Sequence, residues 1–153
     1  MPEQKIKTLD TEAILLSIGD AVVEIDQSRK VNVWNRVAEI ITGFSAEEAL
    51  GRPYQEVLWF ATEDNDTPRS DFIEEAFQKG EPTALPKKAA LITKERKKIP
   101  ITDSATPVRD EQGNVLGVVV IFRDITKERE LDRVKAEFLS LASHQLRTPL
   151  SGI

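Results

Sequence analysis

The only histidine of the 153-residue chain, His144, lies in the run Ser143-His144-Gln145-Leu146-Arg147-Thr148-Pro149-Leu150. A neutral imidazole exposes a ring-nitrogen lone pair near neutral pH. It can therefore serve as a base or as a nucleophile, for example toward a phosphoryl group. With no second histidine and no cysteine, a metal site built on His144 lacks partners. Pro149 has no amide hydrogen, so within a helix the carbonyl of Gln145, four residues back, loses its bonding partner. The helix should bend or loosen one turn beyond the histidine. An isolated helical histidine can equally have no role, so its surroundings decide.

The element that must position His144 is a long helix from Lys127 onward, for which Thr126 can act as cap. Leu131, Val134, Phe138, Leu141 and Gln145 recur at spacings of three and four, and the opposite face carries Glu130, Asp132, Arg133, Lys135 and Glu137. A narrow apolar stripe outside a globular core calls for a partner helix, and a parallel homodimer would supply one. A second amphipathic helix is expected at residues 6 to 18, where Ile6, Leu9, Ala13 and Leu16 share a face, and it would join the same pairing.

Between these helices the hydrophobic period changes repeatedly. Ala21, Val23 and Ile25 alternate with Val22, Glu24 and Asp26, and a second short strand follows from Lys30 to Trp34, giving a hairpin. Asn35 is a natural N-cap for a helix that Gly43 ends, and Ser45-Ala46-Glu47-Glu48 has the form of a capping box. Residues 61 to 68 read as a polar loop and 69 to 79 as a helix that Gly80 terminates. Strands are expected at Ala89 to Thr93, Ile99 to Val108 and Val115 to Asp124. The last is apolar on both faces and so should lie centrally, with Gly117 marking a bulge or a close backbone approach. The whole predicts an α+β fold: one antiparallel sheet of about five strands with short helices on one face.

Composition narrows the partners. Hydrophobic residues make up 40% and charged residues 31%, a mix suited to a folded core with a charged surface. The net charge of −5 leaves no electrostatic footprint for nucleic acid. The basic run from Lys94 to Lys98 is read as a solvated turn. Absence of cysteine excludes disulfides and thiolate sites and fits a reducing compartment. No apolar run has the length of a membrane helix, and no Gly-rich nucleotide loop is present.

Two stretches resemble known families. Residues 35 to 53, N-R-V-A-E-I-I-T-G-F-S-A-E-E-A-L-G-R-P, and 113 to 126, G-N-V-L-G-V-V-V-I-F-R-D-I-T, resemble a PAS domain ending in its Asp124-Ile125-Thr126 junction. Residues 138 to 150, F-L-S-L-A-S-H-Q-L-R-T-P-L, resemble the H-box that opens the dimerisation and phosphotransfer domain of sensor histidine kinases. The resemblance implies an N-terminal helix (1–18), a PAS sensor (19–124), a signalling linker (125–137) and a truncated phosphoacceptor helix (138–153). It implies His144 as phosphoacceptor, with Gln145, Arg147 and Thr148 around it, and Thr148 matches a position that takes part in phosphatase chemistry in that family. The family usually places Glu or Asp after the acceptor. Gln145 can orient the ring but cannot act as a base, so weaker autophosphorylation is expected.

The same resemblance implies ATP and Mg²⁺ for the whole kinase, a catalytic domain beyond residue 153, a response regulator as partner and a cytoplasmic location, with a membrane anchor upstream left open. Alone, the fragment is expected to be inactive. A haem-binding sensor would need an axial histidine within the sensor and a flavin-adduct sensor a cysteine, so neither is expected. A small molecule or a non-covalent flavin stays open. Its pocket would be lined by Ile40, Ile41, Leu58, Trp59, Phe60, Phe72, Ile73, Phe77, Ile101, Val120 and Phe122. The same spacing suits a filled core, which such residues form more often. The rival to a signalling role is a passive module that only pairs chains.

Overall fold

The computed structural model describes residues 19–85 and 88–151, with side chains described as far as Arg147. The helix expected at residues 6 to 18 lies outside the described residues. Six antiparallel strands form one sheet in the order β2-β1-β6-β5-β4-β3. They are β1 (Ala21–Asp26), β2 (Val31–Trp34), β3 (Trp59–Thr62), β4 (Ala89–Ile92), β5 (Lys98–Arg109) and β6 (Val115–Asp124). The helices are α1 (Arg36–Thr42), α2 (Ala46–Ala49), α3 (Asp71–Lys79) and α4 (Thr126–Ser151), with a 3-10 turn at Tyr54–Glu56.

β6 sits between β1 and β5, as its two-sided apolar character requires. Strand alternation puts Ala21, Val23 and Ile25 opposite Phe122, Val120 and Val118 on the buried face. α1 packs over β1, and α3 over β5 and β6, closing the core with Phe72, Ile73 and Ala76. Asn35 caps α1 through Oδ1, which accepts from Ala38 N–H at 2.9 Å and also from Val22 N–H at 3.0 Å, so one buried amide fixes a helix start and a strand start together. The capping box on α2 is complete: Ser45 Oγ accepts from Glu48 N–H at 3.1 Å, and Glu48 Oε1 from Ser45 N–H at 3.0 Å. Lys94 Nζ, 2.5 Å from Glu48, and the Ser45 amide together hold the Glu48 carboxyl down at about 2.

The sheet has one strand more than the sequence suggests. Ala61 and Thr62, expected in the polar loop, continue Trp59 and Phe60 as β3, paired with β4 from Trp59↔Ile92 to Thr62↔Ala89. The helix expected from residue 69 begins at Asp71.

At Gly117 the chain makes the anticipated close approach, and an added Cβ would lie 2.6 Å from the carbonyl oxygen of Ile25. Both neighbours are paired backbone in the central strands, so neither can retreat cheaply. Gly117→Ala is expected to destabilise the fold by about 1–3 kcal/mol, the usual cost of overpacking. Urea unfolding of the two proteins measures it, and an unchanged midpoint would contradict the contact.

Candidate functional site

The exit from the sheet is built around Asp124. Its Oδ1 accepts from the backbone N–H of Thr126 at 2.8 Å and from the Thr126 hydroxyl at 2.5 Å. The expected cap is therefore corrected: Thr126 lies inside the helix, and the carboxylate of Asp124, two residues earlier, satisfies the open amide. Between them, Ile125 N–H donates to the Pro100 carbonyl at 3.0 Å, fastening the junction to β5. Next to it, Arg123 Nε pairs with Asp20 Oδ1 at 2.9 Å, and the Asp20 carbonyl accepts from Asn35 Nδ2 at 3.0 Å. The residues leading into β1 and those leaving β6 thus share one polar cluster.

From that junction α4 runs for 26 residues and carries its apolar side chains into solvent. Leu131 is 69% exposed, Val134 50%, Phe138 67% and Leu141 62%. Leu139 and Leu146 are also exposed, so the apolar face broadens beyond Phe138. That widening is readable as a second series at spacings of three and four, Leu139-Ala142-Leu146, beside the first. A one-residue-wide seam fits a single partner helix, and a broader face fits a bundle. His144, Gln145 and Arg147 are exposed. Helical spacing puts Arg147 on the side of His144, and Gln145 in line with Leu141. The backbone of Thr148 belongs to α4, and its side chain lies outside the described residues.

The residues considered for a pocket separate into four places. Leu58, Phe60, Phe72, Val120 and Phe122 are buried together, and the Phe60 ring meets Phe72 at 5.2 Å and Phe122 at 5.7 Å between centroids, both edge-on. Side chains fill the core there. Trp59, adjacent to Phe60 on a strand, points to the other face. It packs edge-on against Phe44 and lines an open groove of about 460 Å³ with Asp66, Pro68, Ile92, Arg96 and Lys98. Phe77 is half-buried beneath the Arg29 guanidinium, 3.7 Å from its centroid. Ile40 has to be removed from the interior altogether, because it is 70% exposed on the outer side of α1. The period of so short a helix leaves its inward arc to Ala38, Ile41 and Thr42.

One partly buried polar cluster has no counterpart in the sequence reading. Arg29 reaches Glu74 at 3.0 Å, and the Tyr54 hydroxyl donates to Glu74 Oε2 at 2.6 Å, joining the β1–β2 hairpin to α3. Burial, and then the Glu74 carboxylate, push the Tyr54 phenol up to about 12. The folded state therefore favours the neutral phenol. Stability from this group is full below the ordinary phenol range near 10 and falls as pH rises toward 12. Tyr54 is the only tyrosine, so ultraviolet absorbance titration reads it directly. A midpoint in the folded protein equal to that in denaturant would contradict the cluster.

A family model described as PAS fold matches residues 9–125. The chain belongs to the PAS family. Among similar proteins, the alginate biosynthesis sensor protein KinB of Pseudomonas aeruginosa is 30% identical over 93% of this chain and 22% of its own length. The signal transduction histidine-protein kinase AtoS of Escherichia coli is 27% identical over 98% of this chain and 25% of its own. The probable diguanylate cyclase DgcE of Escherichia coli is 33% identical over 89% of this chain and 12% of its own. The chain thus spans a quarter or less of the length of these three relatives. Among solved structures, a PAS domain from Colwellia psychrerythraea shares the fold with a TM-score of 0.61 and 24% identity, covering 78% of this chain and 98% of that one. Among the described residues, no helix is long and apolar enough to cross a membrane.

Proposed function

We propose that this chain is the sensing and phosphoacceptor segment of a sensor histidine kinase. The observation that carries the reading is continuity. The similarity to AtoS covers 98% of the chain, so it runs past the PAS boundary at residue 125 into α4, where His144, Gln145 and Arg147 stand exposed. In this reading a stimulus changes packing among the PAS strands and helices, and the Asp124-Ile125-Thr126 junction passes the change to α4. Two copies pair along the apolar face of α4 and through residues 6 to 18. A ring nitrogen of His144 attacks the γ-phosphorus of ATP held with Mg²⁺ by a separate catalytic domain. The N–P bond forms as the bond from phosphorus to the bridging oxygen breaks, ADP departs, and the ring proton passes to a base or water. The phosphoryl group then moves to an aspartate of a response regulator. Because ATP is the donor, the acceptor works in the cytoplasm.

In the full-length protein, label from γ-labelled ATP should appear as an acid-labile, base-stable adduct within α4. A full-length protein that takes up no such label would overturn the proposal.

The similarity to a diguanylate cyclase and the edge-packed phenylalanine core favour a second reading, a PAS module that pairs chains without sensing a ligand. Cysteines along residues 127 to 141 separate the two readings. Crosslinking that changes with the stimulus supports a switch, and an invariant pattern supports passive pairing.

A further inference from the structure

The acidic segment after β3 is tied to the exit helix. Glu63 follows β3 directly, and its N–H donates to the Lys88 carbonyl at 2.8 Å. Lys98 Nζ binds the Glu63 carbonyl at 2.9 Å and Asp66 Oδ1 at 2.6 Å, so the backbone on both sides is held. The Glu63 carboxylate turns toward the first turn of α4. Arg129 Nη1 donates to Oε1 at 3.2 Å, and Nη2 lies 3.0 Å from Oε2. Oε2 is buried and misaligned for a hydrogen bond, so the charge of Arg129 is its compensation.

The base of α4 is therefore held at two points on different strands. Ile125 fastens it to β5, and Arg129 fastens it to the segment leaving β3. A single anchor leaves a helix free to pivot, whereas two fix its direction. We infer that the Glu63–Arg129 pair is an orientation latch that couples β3 to the exit helix. Swinging Arg129 away strands a buried carboxylate oxygen, which is a larger penalty than parting a surface ion pair. Helix reorientation and movement of the β3 end must accompany one another. The path back to the core is three peptide bonds long: Phe60, whose ring touches Phe72 and Phe122, precedes Glu63 by Ala61 and Thr62. The biological meaning of the latch rests on the proposed signalling role, but its geometry does not.

The chain contains no cysteine, so spin labels can be placed at will. One goes at Thr106, exposed on β5, and one at Lys135, exposed on α4. The doubly labelled chain is diluted in excess unlabelled chain, so only distances within a molecule are read. The expected result is one narrow distance distribution for the parent. Glu63→Gln and Arg129→Gln should each broaden it, the double variant should match either single one, and Arg129→Lys should restore part of the narrow component. Raising salt on the unsubstituted chain screens a partly exposed pair and supplies an arm that needs no variant. Distributions unchanged by both substitutions and by salt would overturn the latch. No ATP or partner protein enters the measurement, so it can fail while phosphorylation of His144 succeeds, and the reverse.

Discussion

Replacing His144 with alanine should reduce ATP-derived labelling of the full-length protein to background. The reason is chemical and local. Among the described side chains exposed beyond Phe138 on α4, that of His144 alone carries an imidazole, and neither the Arg147 guanidinium nor the Gln145 amide nitrogen is a nucleophile. The substitution should spare the structure. The side chain is exposed, and alanine is the better helix former by a few tenths of a kcal/mol. Circular dichroism and the thermal midpoint of the variant should match the parent, so lost labelling cannot be blamed on unfolding. Persistence of the label would move the acceptor to another residue and remove the central claim of the proposed function.

Changing Gln145 to glutamate should act in the opposite direction. Nucleophilic attack leaves the imidazole carrying a proton that has to go elsewhere, and a carboxylate beside the ring accepts it, whereas an amide oxygen only orients the ring. The labelling rate should rise by roughly a hundredfold, the lower end of what a positioned base contributes. Affinity for ATP should stay unchanged, because Gln145 belongs to the acceptor helix. Initial rates at saturating ATP separate the two effects. An equal rate in both proteins would show that proton removal does not limit the reaction, or that water performs it.

Much of the architecture was legible in local sequence. The Asn35 cap, the Ser45–Glu48 box, the left-handed backbone at Gly43 and the central position of β6 all follow from patterns within a few residues, and all are present. β3 was not legible, because its four residues are bounded by a polar run whose composition looks like loop. Only pairing with β4 makes a strand of it. The site divides in the same way. The residues around His144 stand in one run of sequence, so the candidate could be picked out directly, and His144, Gln145 and Arg147 are exposed on α4. Ile40 was misplaced because a seven-residue helix gives two apolar arcs nearly equal claims to the core. The Arg29–Glu74–Tyr54 cluster and the Glu63–Arg129 pair join residues 20 to 66 positions apart, and no spacing rule connects them.

The length of α4 has a mechanical consequence. From Thr126 to His144 the helix advances 18 residues, roughly 27 Å at the usual rise. A rigid rod of that length works as a lever whose fulcrum is the junction. Tilting it by about 5° at the base carries the imidazole sideways by roughly 2 Å, given that same rise. Such a displacement is comparable to the reach of a hydrogen bond, so under the proposed function a rearrangement too small to disturb the sheet would still bring the ring into register with an incoming phosphate or take it out.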